Sequence, residues 1–529
     1  MSEHFFDTLK QHGHLRRLSA PQFFDTERGV FLNGRQVIGR CPIQGCQSDK
    51  AYADECSLGH QFLPKDLIGP RSALTGTVPK LRECANWYFD LAKFKDDLEA
   101  WVSREEGQLG ARKFANTSIR DFFGAPVVYV PRKQEQELAA IAASLPNHQQ
   151  QEGKGKSLTV VFDSVGDREQ ACEQLSAAGV QFRSGKTLVP FRLSGNINWG
   201  IPVPDEDALT FWVWPESLWA PISFSATYLE AQGESTDSWQ RWWCDPDAKV
   251  YQFIGEDNVY FYGPAEMGLF LGMQGESWSS EPPQDSLQLP TLVVNRHLLF
   301  LNSKASSSGK IKPPMADELL EHYTAEQLRV HFVSLGLGTK NISFQPKVYN
   351  PSAPENSPDP VLKEGKLLTN VFNRAVRTLL YTVQTHTERK IPQVAPSEAV
   401  MAELRRGWQD YEQAMASRQL HRGLKSADKL IRNLNKFWQR ASTGMELSES
   451  SAERDQALAD AFQMLRVAVL LMHPIVPAGC ERIRSYLNVD ERLWSWEHIE
   501  DTLHAFVEVP EEHQTVELPP RTDFFAYRP

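Results

Sequence analysis

The chain has 529 residues, more than one ordinary core accommodates, so about two to four domains are expected. With 41% apolar and 23% charged residues it is balanced like a soluble globular protein, and no apolar run approaches the ~18 residues that cross a membrane. A net charge of -11 excludes indiscriminate attraction to polyanions while leaving room for a local basic stripe.

In chain order, the opening MSEHFFDTLKQHGHLRR contains acidic residues and no apolar h-region, which argues against a signal peptide. Seven cysteines, an odd number spread over a long chain, fit a reducing, cytoplasmic setting rather than a disulfide scaffold. Cys41-Pro-Ile-Gln-Gly-Cys46 and, after nine intervening residues, Cys56-Ser-Leu-Gly-His60 have the form of a zinc knuckle over about residues 38–62. Thiolates and imidazole suit tetrahedral zinc, with Cys41, Cys46, Cys56 and His60 as the ligands. Each arm is wider than the usual gap of about two residues, so a metal-free knuckle is the alternative. A Pro-rich extended lead then gives way to an amphipathic helix with Phe94, Leu98 and Trp101 on one face. Residues 125–189 read as strand (Val127 to Val130), helix (Gln134 to Leu145), polar linker HQQQEGKGK, strand (Leu158 to Phe162) and helix (Asp167 to Ala178), a small α/β insertion.

Strand-like runs return from Asn196 to Phe211 and from Tyr251 to Tyr262, ending in turn or helix signals as parallel strands with ligands at their carboxyl ends do. A further strand-like run, Leu292 to Leu301, leads into LNSKASSSGKIKP and then an amphipathic helix near Asp317. From about Lys363 to Leu487 the pattern is helical: Leu458, Ala461, Phe462, Leu465, Val469 and Met472 follow helical periodicity and stop before Pro474. Arg422, Lys425, Lys429, Arg432, Lys436 and Arg440 recur at steps of three and four, placing six cations on one helix face that leads to Trp438. A charge run is usually a solvated face. In an acidic protein, a single-signed stripe ending in an aromatic favours RNA binding.

Taken together, FFDTLKQHGHL, FLNGRQVIGRCP, AYADEC, PRSALTGTVPKLRE and WYFDLAKF, in that order between Phe5 and Trp101, resemble the connective domain of methionyl-tRNA synthetases. The resemblance resumes at Asn196 to Pro204, Phe211 to Trp214 and Tyr251 to Tyr262, similar to the second half of the family's nucleotide-binding fold, and LNSKASSSGKIKP is similar to its Lys-Met-Ser-Lys-Ser loop. It implies an α/β plus all-α chain: a partial class I synthetase nucleotide-binding (Rossmann-like) fold with a zinc-knuckle connective domain, followed by a helical anticodon-binding bundle. The boundaries that follow are a connective domain over 1–124, the insertion over 125–189, the nucleotide-fold half over 190–300, a degenerate loop and stem-contact region over 301–350, the bundle over 351–490 and a tail over 491–529.

The chemistry the resemblance implies is unevenly present. Class I synthetases place donors on the triphosphate, where charge develops as pyrophosphate leaves. The family's His-x-Gly-His motif has no counterpart, because the chain begins where the family's connective domain is under way; His12-Gly13-His14 follows no strand and is read as coincidence. The two-lysine loop keeps Lys304, Ser306 and Ser308, but Ser307 stands where the second lysine belongs. Lys310 could swing in on Gly309, or the stretch is a flexible surface loop. Trp214 and Asp257 match pocket positions, whereas Tyr262 replaces a histidine, Glu266 a tryptophan and Gly195 an arginine. Core packing is the competing role for Trp214 and Tyr262. Asn370 and Arg374 in TNVFNRAVR match the anticodon-reading Asn-x-x-x-Arg, and Trp438 falls beside the position of an anticodon-stacking tryptophan.

The expectation is a synthetase-like, tRNA-binding protein unable to form an aminoacyl-adenylate alone, with zinc as cofactor and no dependable ATP or Mg²⁺ site. A protein partner or a second copy would cover the incomplete sheet. The alternatives are the large part of a split or still active ATP-dependent ligase, for methionine or another amino acid, and a protein-interaction scaffold without RNA binding.

Overall fold

A computed structural model describes residues 1–42, 50–53, 67–152, 156–196, 199–206, 208–304, 312–443, 451–507 and 513–528. The chain divides into two units, Met1–Val294 and Asn295–Pro529.

In the first unit, α1 (Ser2–Gln11) buries Phe5, Phe6 and Leu9, residues three and four apart on one face. Gly13 then takes φ 70, which lets the chain turn out of the helix. His12 and His14 hydrogen-bond the carbonyls of Gly272 and Gly275, so the His-Gly-His stretch ends a helix and anchors it rather than following a strand. Strands β1 (Leu15–Asp25), β2 (Val30–Phe31), β3 (Val37–Arg40), β4 (Ile68–Ser72) and β5 (Lys80–Phe89) follow; β1 and β5 pair antiparallel from Leu15↔Phe89 to Phe24↔Lys80, and β3 pairs with β4. Helices α2 (Lys95–Glu106) and α3 (Lys113–Arg120) come next, and Phe94, Leu98 and Trp101 are buried as their spacing requires.

The insertion holds β6 (Val127–Pro131), α4 (Glu135–Ile141), β7 (His148–Glu152), β8 (Ser157–Phe162), α5 (Val165–Ala177) and β9 (Arg183–Ser184). It has its own core, in which Leu138 and Leu175 cover Val128, Val130, Val160 and Phe162. The polar stretch expected as a linker is in large part strand β7, paired with β8 from His148↔Phe162 to Glu152↔Leu158. An edge strand needs only backbone partners on one side, so amide-rich HQQQE serves without apolar alternation.

The unit closes with β10 (Phe191–Arg192), β11 (Ser194–Gly195), β12 (Thr210–Phe211), α6 (Val213–Ala231), α7 (Gln240–Trp243), β13 (Tyr251–Gly255), α8 (Glu266–Met273) and β14 (Thr291–Asn295). A π-helical turn, Phe261–Ala265, leads into α8. Phe5 and Phe6 of α1 pack on Trp219 and Phe211, which ties the start of the chain to this closing part.

In the second unit, β15 (Leu298–Phe300) and β16 (Ser303–Lys304) form a tight hairpin over Leu301 and Asn302, both at positive φ. The single strand expected over Leu292 to Leu301 is thus two, β14 and β15. Helices α9 (Ala316–His322) and α10 (Ala325–Ser334) precede β17 (Ile342–Phe344), which pairs parallel with β15. Then come α11 (Pro360–Lys366), a π-helical turn over Leu367–Phe372, α12 (Asn373–His386), α13 (Glu398–Ala416), α14 (Leu420–Ser442), α15 (Ala452–Met472) and α16 (Pro477–Leu487). α15 is buried almost all round and forms the middle of the bundle. The closing residues are part of this bundle: Phe524 and Phe525 are buried, and Asn373 accepts hydrogen bonds from both their backbone amides.

Candidate functional site

The positions assigned to an amino-acid pocket come from the first turn of α6, the end of β13 and the π-helical turn before α8. Gly255 ends β13, and a Cβ there would lie 2.6 Å from Asp257 Oδ1, so glycine lets the exposed Asp257 carboxylate fold back over the strand end. Trp214 stacks on Phe261 at 3.6 Å between ring centroids and 7° between planes. Tyr262, beside it, is half-buried, and burial together with the Glu266 carboxyl pushes its phenol up. Glu266 is wholly buried; Gln252 Nε2 donates to its Oε1 at 2.8 Å. Glu266 Oε2 and Gln252 Oε1 have no partner among the described residues. Desolvation raises the Glu266 carboxyl well above the usual range, opposed only by the Gln252 bond. Gly195, the arginine's replacement, is buried in the short β11–β12 pair opposite Thr210. Trp214, Tyr262 and Glu266 therefore gather around one turn, with ring stacking and a carboxyl–amide bond spent internally. Gln252 is the member sequence reading missed; its only signal is alternation with the buried Ile254 along β13.

Of the phosphate-loop residues, Lys304 is exposed at the end of β16; Ser306, Ser307, Ser308, Gly309 and Lys310 lie outside the described residues. Of the zinc ligands only Cys41 is described, and Cys46, Cys56 and His60 lie outside the described residues. Gly39 and Ala51 exchange backbone hydrogen bonds of 2.8 and 2.9 Å, and Arg40 pairs with Ile68, so described residues on either side of the Cys-bearing segments lie along β3. Three thiolates and one imidazole are a donor set that suits zinc: Cys41 and Cys46 would sit on one arm, Cys56 and His60 on the other.

In the bundle, Asn370 is exposed on the π-helical turn and Arg374 is exposed in the first turn of α12. Arg374 Nε donates to Asn435 Oδ1 of α14 at 3.1 Å, which fixes the guanidinium beside that helix. Arg422, Lys425, Lys429, Arg432, Lys436 and Arg440 are all exposed on α14, opposite its buried side of Leu424, Ala427, Ile431 and Leu434. Two expectations are corrected here. The stripe is not single-signed, because Asp428 pairs with Arg432 at 2.9 Å. Trp438 is 4% exposed and belongs to the bundle core, since its four-residue step from Leu434 continues the apolar side. Its indole face is committed to packing. Asn435 was not foreseen; its signal is its place between Arg432 and Lys436 on α14.

Comparison with known proteins matches the family model "tRNA synthetases class I (M)" over residues 1–129 and 169–351, more than half of the chain, leaving the middle of the insertion unmatched. The methionine–tRNA ligase of Chloroflexus aggregans is 21% identical over 503 residues, covering 92% of this chain and 70% of the relative. That of Bacteroides fragilis is 24% identical over 510 residues, covering 94% of this chain and 60% of the relative. The Mycobacterium tuberculosis methionyl-tRNA synthetase bound by methionyl-adenylate superposes with a TM-score of 0.57 at 15% identity, covering 99% of this chain and 80% of that one. These matches define the fold as that of a class I tRNA synthetase, α/β in its first part and helical towards its C-terminus. Within that class the chain belongs to the methionyl family and is methionyl-tRNA synthetase-like. No helix among the described residues is long and apolar enough to cross a membrane.

Proposed function

We propose that the chain binds tRNA through its helical bundle and does not by itself form an aminoacyl-adenylate. The observation that carries this reading is the exposed pair Asn370 and Arg374, about one turn apart, with Arg374 bonded to Asn435 of α14, the helix that carries the exposed cations. An amide and a guanidinium so placed grip the edges of unpaired bases, while Lys425, Lys429 and Lys436 neutralise phosphates. The pocket end supports the second half of the reading. Trp214 is stacked on Phe261, a buried carboxyl occupies position 266, and Gly195 brings no cation to the reacting groups. No ATP or Mg²⁺ step is assigned. Zinc held by Cys41, Cys46, Cys56 and His60 is part of the proposal as a structural ion that fixes the knuckle.

A protein partner or second copy also belongs to the proposal. It is supported by exposed apolar side chains in the first unit, Phe224 and Tyr228 on α6 and Tyr251 and Phe253 on β13. A mass in dilute solution matching one chain, with the fold intact, contradicts that part.

Filter binding of tRNA to the purified chain, with Arg374→Ala and Asn370→Ala alongside, tests the main reading. Binding that the variants weaken supports it. Undetectable binding returns the scaffold alternative, and robust amino-acid-dependent ATP–pyrophosphate exchange returns the ligase alternative.

A further inference from the structure

The insertion carries a second, separate surface. Its elements run strand–helix–strand–strand–helix–strand, and the spatial order β7-β8-β6-β9, with neighbours antiparallel throughout, is the split βαβ arrangement. Both helices cover one face of this sheet. Register assigns the alternate residues to the other face. Tyr129 and Thr159 stand opposite each other on the two central strands, with Arg183 across from Tyr129 and Gln151 across from Thr159; Gln149 lies across from Val161.

We propose that this open face binds single-stranded RNA, laid across β6 and β8. Sheets of this topology serve RNA recognition by stacking bases on aromatic rings of the central strands. Tyr129 is such a ring on β6, and the Arg183 guanidinium sits 5.3 Å from its centroid. Ring and guanidinium together offer a stacking platform and a cation for the adjoining phosphate. Hydrogen-bonding capacity on this face is unspent: the side chains of Gln149, Gln151 and Thr159 have no hydrogen-bond partner among the described residues. None of the β6, β7, β8 or β9 residues that register assigns to this face is Asp or Glu, in a chain of net charge -11. Gly185 keeps the rim flush, since a Cβ there would come 2.3 Å from Val127 Cγ2 and 3.3 Å from the Tyr129 ring. With Thr159 and Val161 on β8 in place of rings, the face stacks one base rather than several.

The inference rests on the tRNA-binding reading only for the choice of polymer, and the two surfaces share no residue. The test is fluorescence anisotropy of labelled oligouridine with the full chain, together with photo-crosslink mapping. Tyr129→Ala is expected to weaken oligouridine binding about tenfold, the loss of one stacked base, and Tyr129→Phe to retain it. Arg183→Gln is expected to weaken binding and flatten its salt dependence, and crosslinks are expected on β6 or β8. Circular dichroism confirms that each variant is folded. Absent oligouridine binding, affinities unmoved in folded Tyr129→Ala and Arg183→Gln, or crosslinks confined to other segments overturn the inference. tRNA binding that depends on Arg374, without oligouridine binding, overturns this inference and leaves the bundle reading intact. Tyr129-dependent oligouridine binding, with tRNA affinity indifferent to Arg374→Ala, does the reverse.

Discussion

Replacing Glu266 by glutamine is expected to stabilise the protein at neutral and alkaline pH and to leave it unchanged near pH 4.5, the ordinary carboxyl value. Glu266 is wholly buried, with one hydrogen bond from Gln252 and a second oxygen that meets no donor. Desolvation raises its pKa in the fold, so above the unfolded value the folded chain holds a proton that the unfolded chain releases. Stability from this group is therefore complete below the unfolded pKa and is lost as pH rises through the folded pKa. Glutamine cannot ionise and keeps an acceptor for Gln252 Nε2. The gain therefore grows by about 1.4 kcal/mol for each pH unit between the unfolded and the folded pKa. For a unit of this size it amounts to several degrees in the melting midpoint. Thermal melts of both proteins, followed by circular dichroism across this pH range, measure it. Parallel melting curves at every pH would refute the reasoning, because they would mean that Glu266 is ionised at no cost.

Trp438→Ala is expected to destabilise the bundle by about 3–5 kcal/mol, whereas Trp438→Phe leaves tRNA affinity unchanged; denaturant melts and filter binding separate core packing from base stacking. Arg466 is buried and donates to the carbonyls of Leu493, His498, Ile499 and Asp501, so Arg466→Met strands those acceptors. It should cost about 3 kcal/mol or more in urea unfolding. Reversing Lys429 and Lys436 to Glu together should weaken tRNA binding and lower its salt slope by about one unit for each phosphate that is no longer neutralised, as read from affinities over a salt series. Metal analysis of the native protein should find one zinc per chain, lost when Cys41 and Cys56 are replaced by Ser; a metal-free native protein contradicts the knuckle.

Helical spacing was legible where burial is one-sided. Phe94, Leu98 and Trp101 marked a buried face, and the run from Leu458 to Met472 ended with α15 itself. Sequence could not reveal that α15 is buried all round, because Asp460, Gln463 and Arg466 interrupt its apolar pattern and are accommodated through hydrogen bonds to distant segments. Strand β7 was illegible for the opposite reason: an edge strand of exposed amides has the composition of a linker. Trp438 continues both a cationic stripe and an apolar face, and only packing decides between them. The pocket positions were read from family resemblance, but the bond between Glu266 and Gln252 joins a helix to a strand and depends on their approach in space. The corresponding gap in the helical bundle is the bond from Arg374 to Asn435, which joins α12 to α14.

Equilibrium binding of tRNA to the purified chain, compared with the Asn370→Ala/Arg374→Ala double variant, tests the central claim most directly. The account predicts binding by the parent chain and a loss of about tenfold or more in the folded variant, from removal of charge-assisted hydrogen bonds to bases. Equal affinity in the two proteins, or none in either, would contradict it.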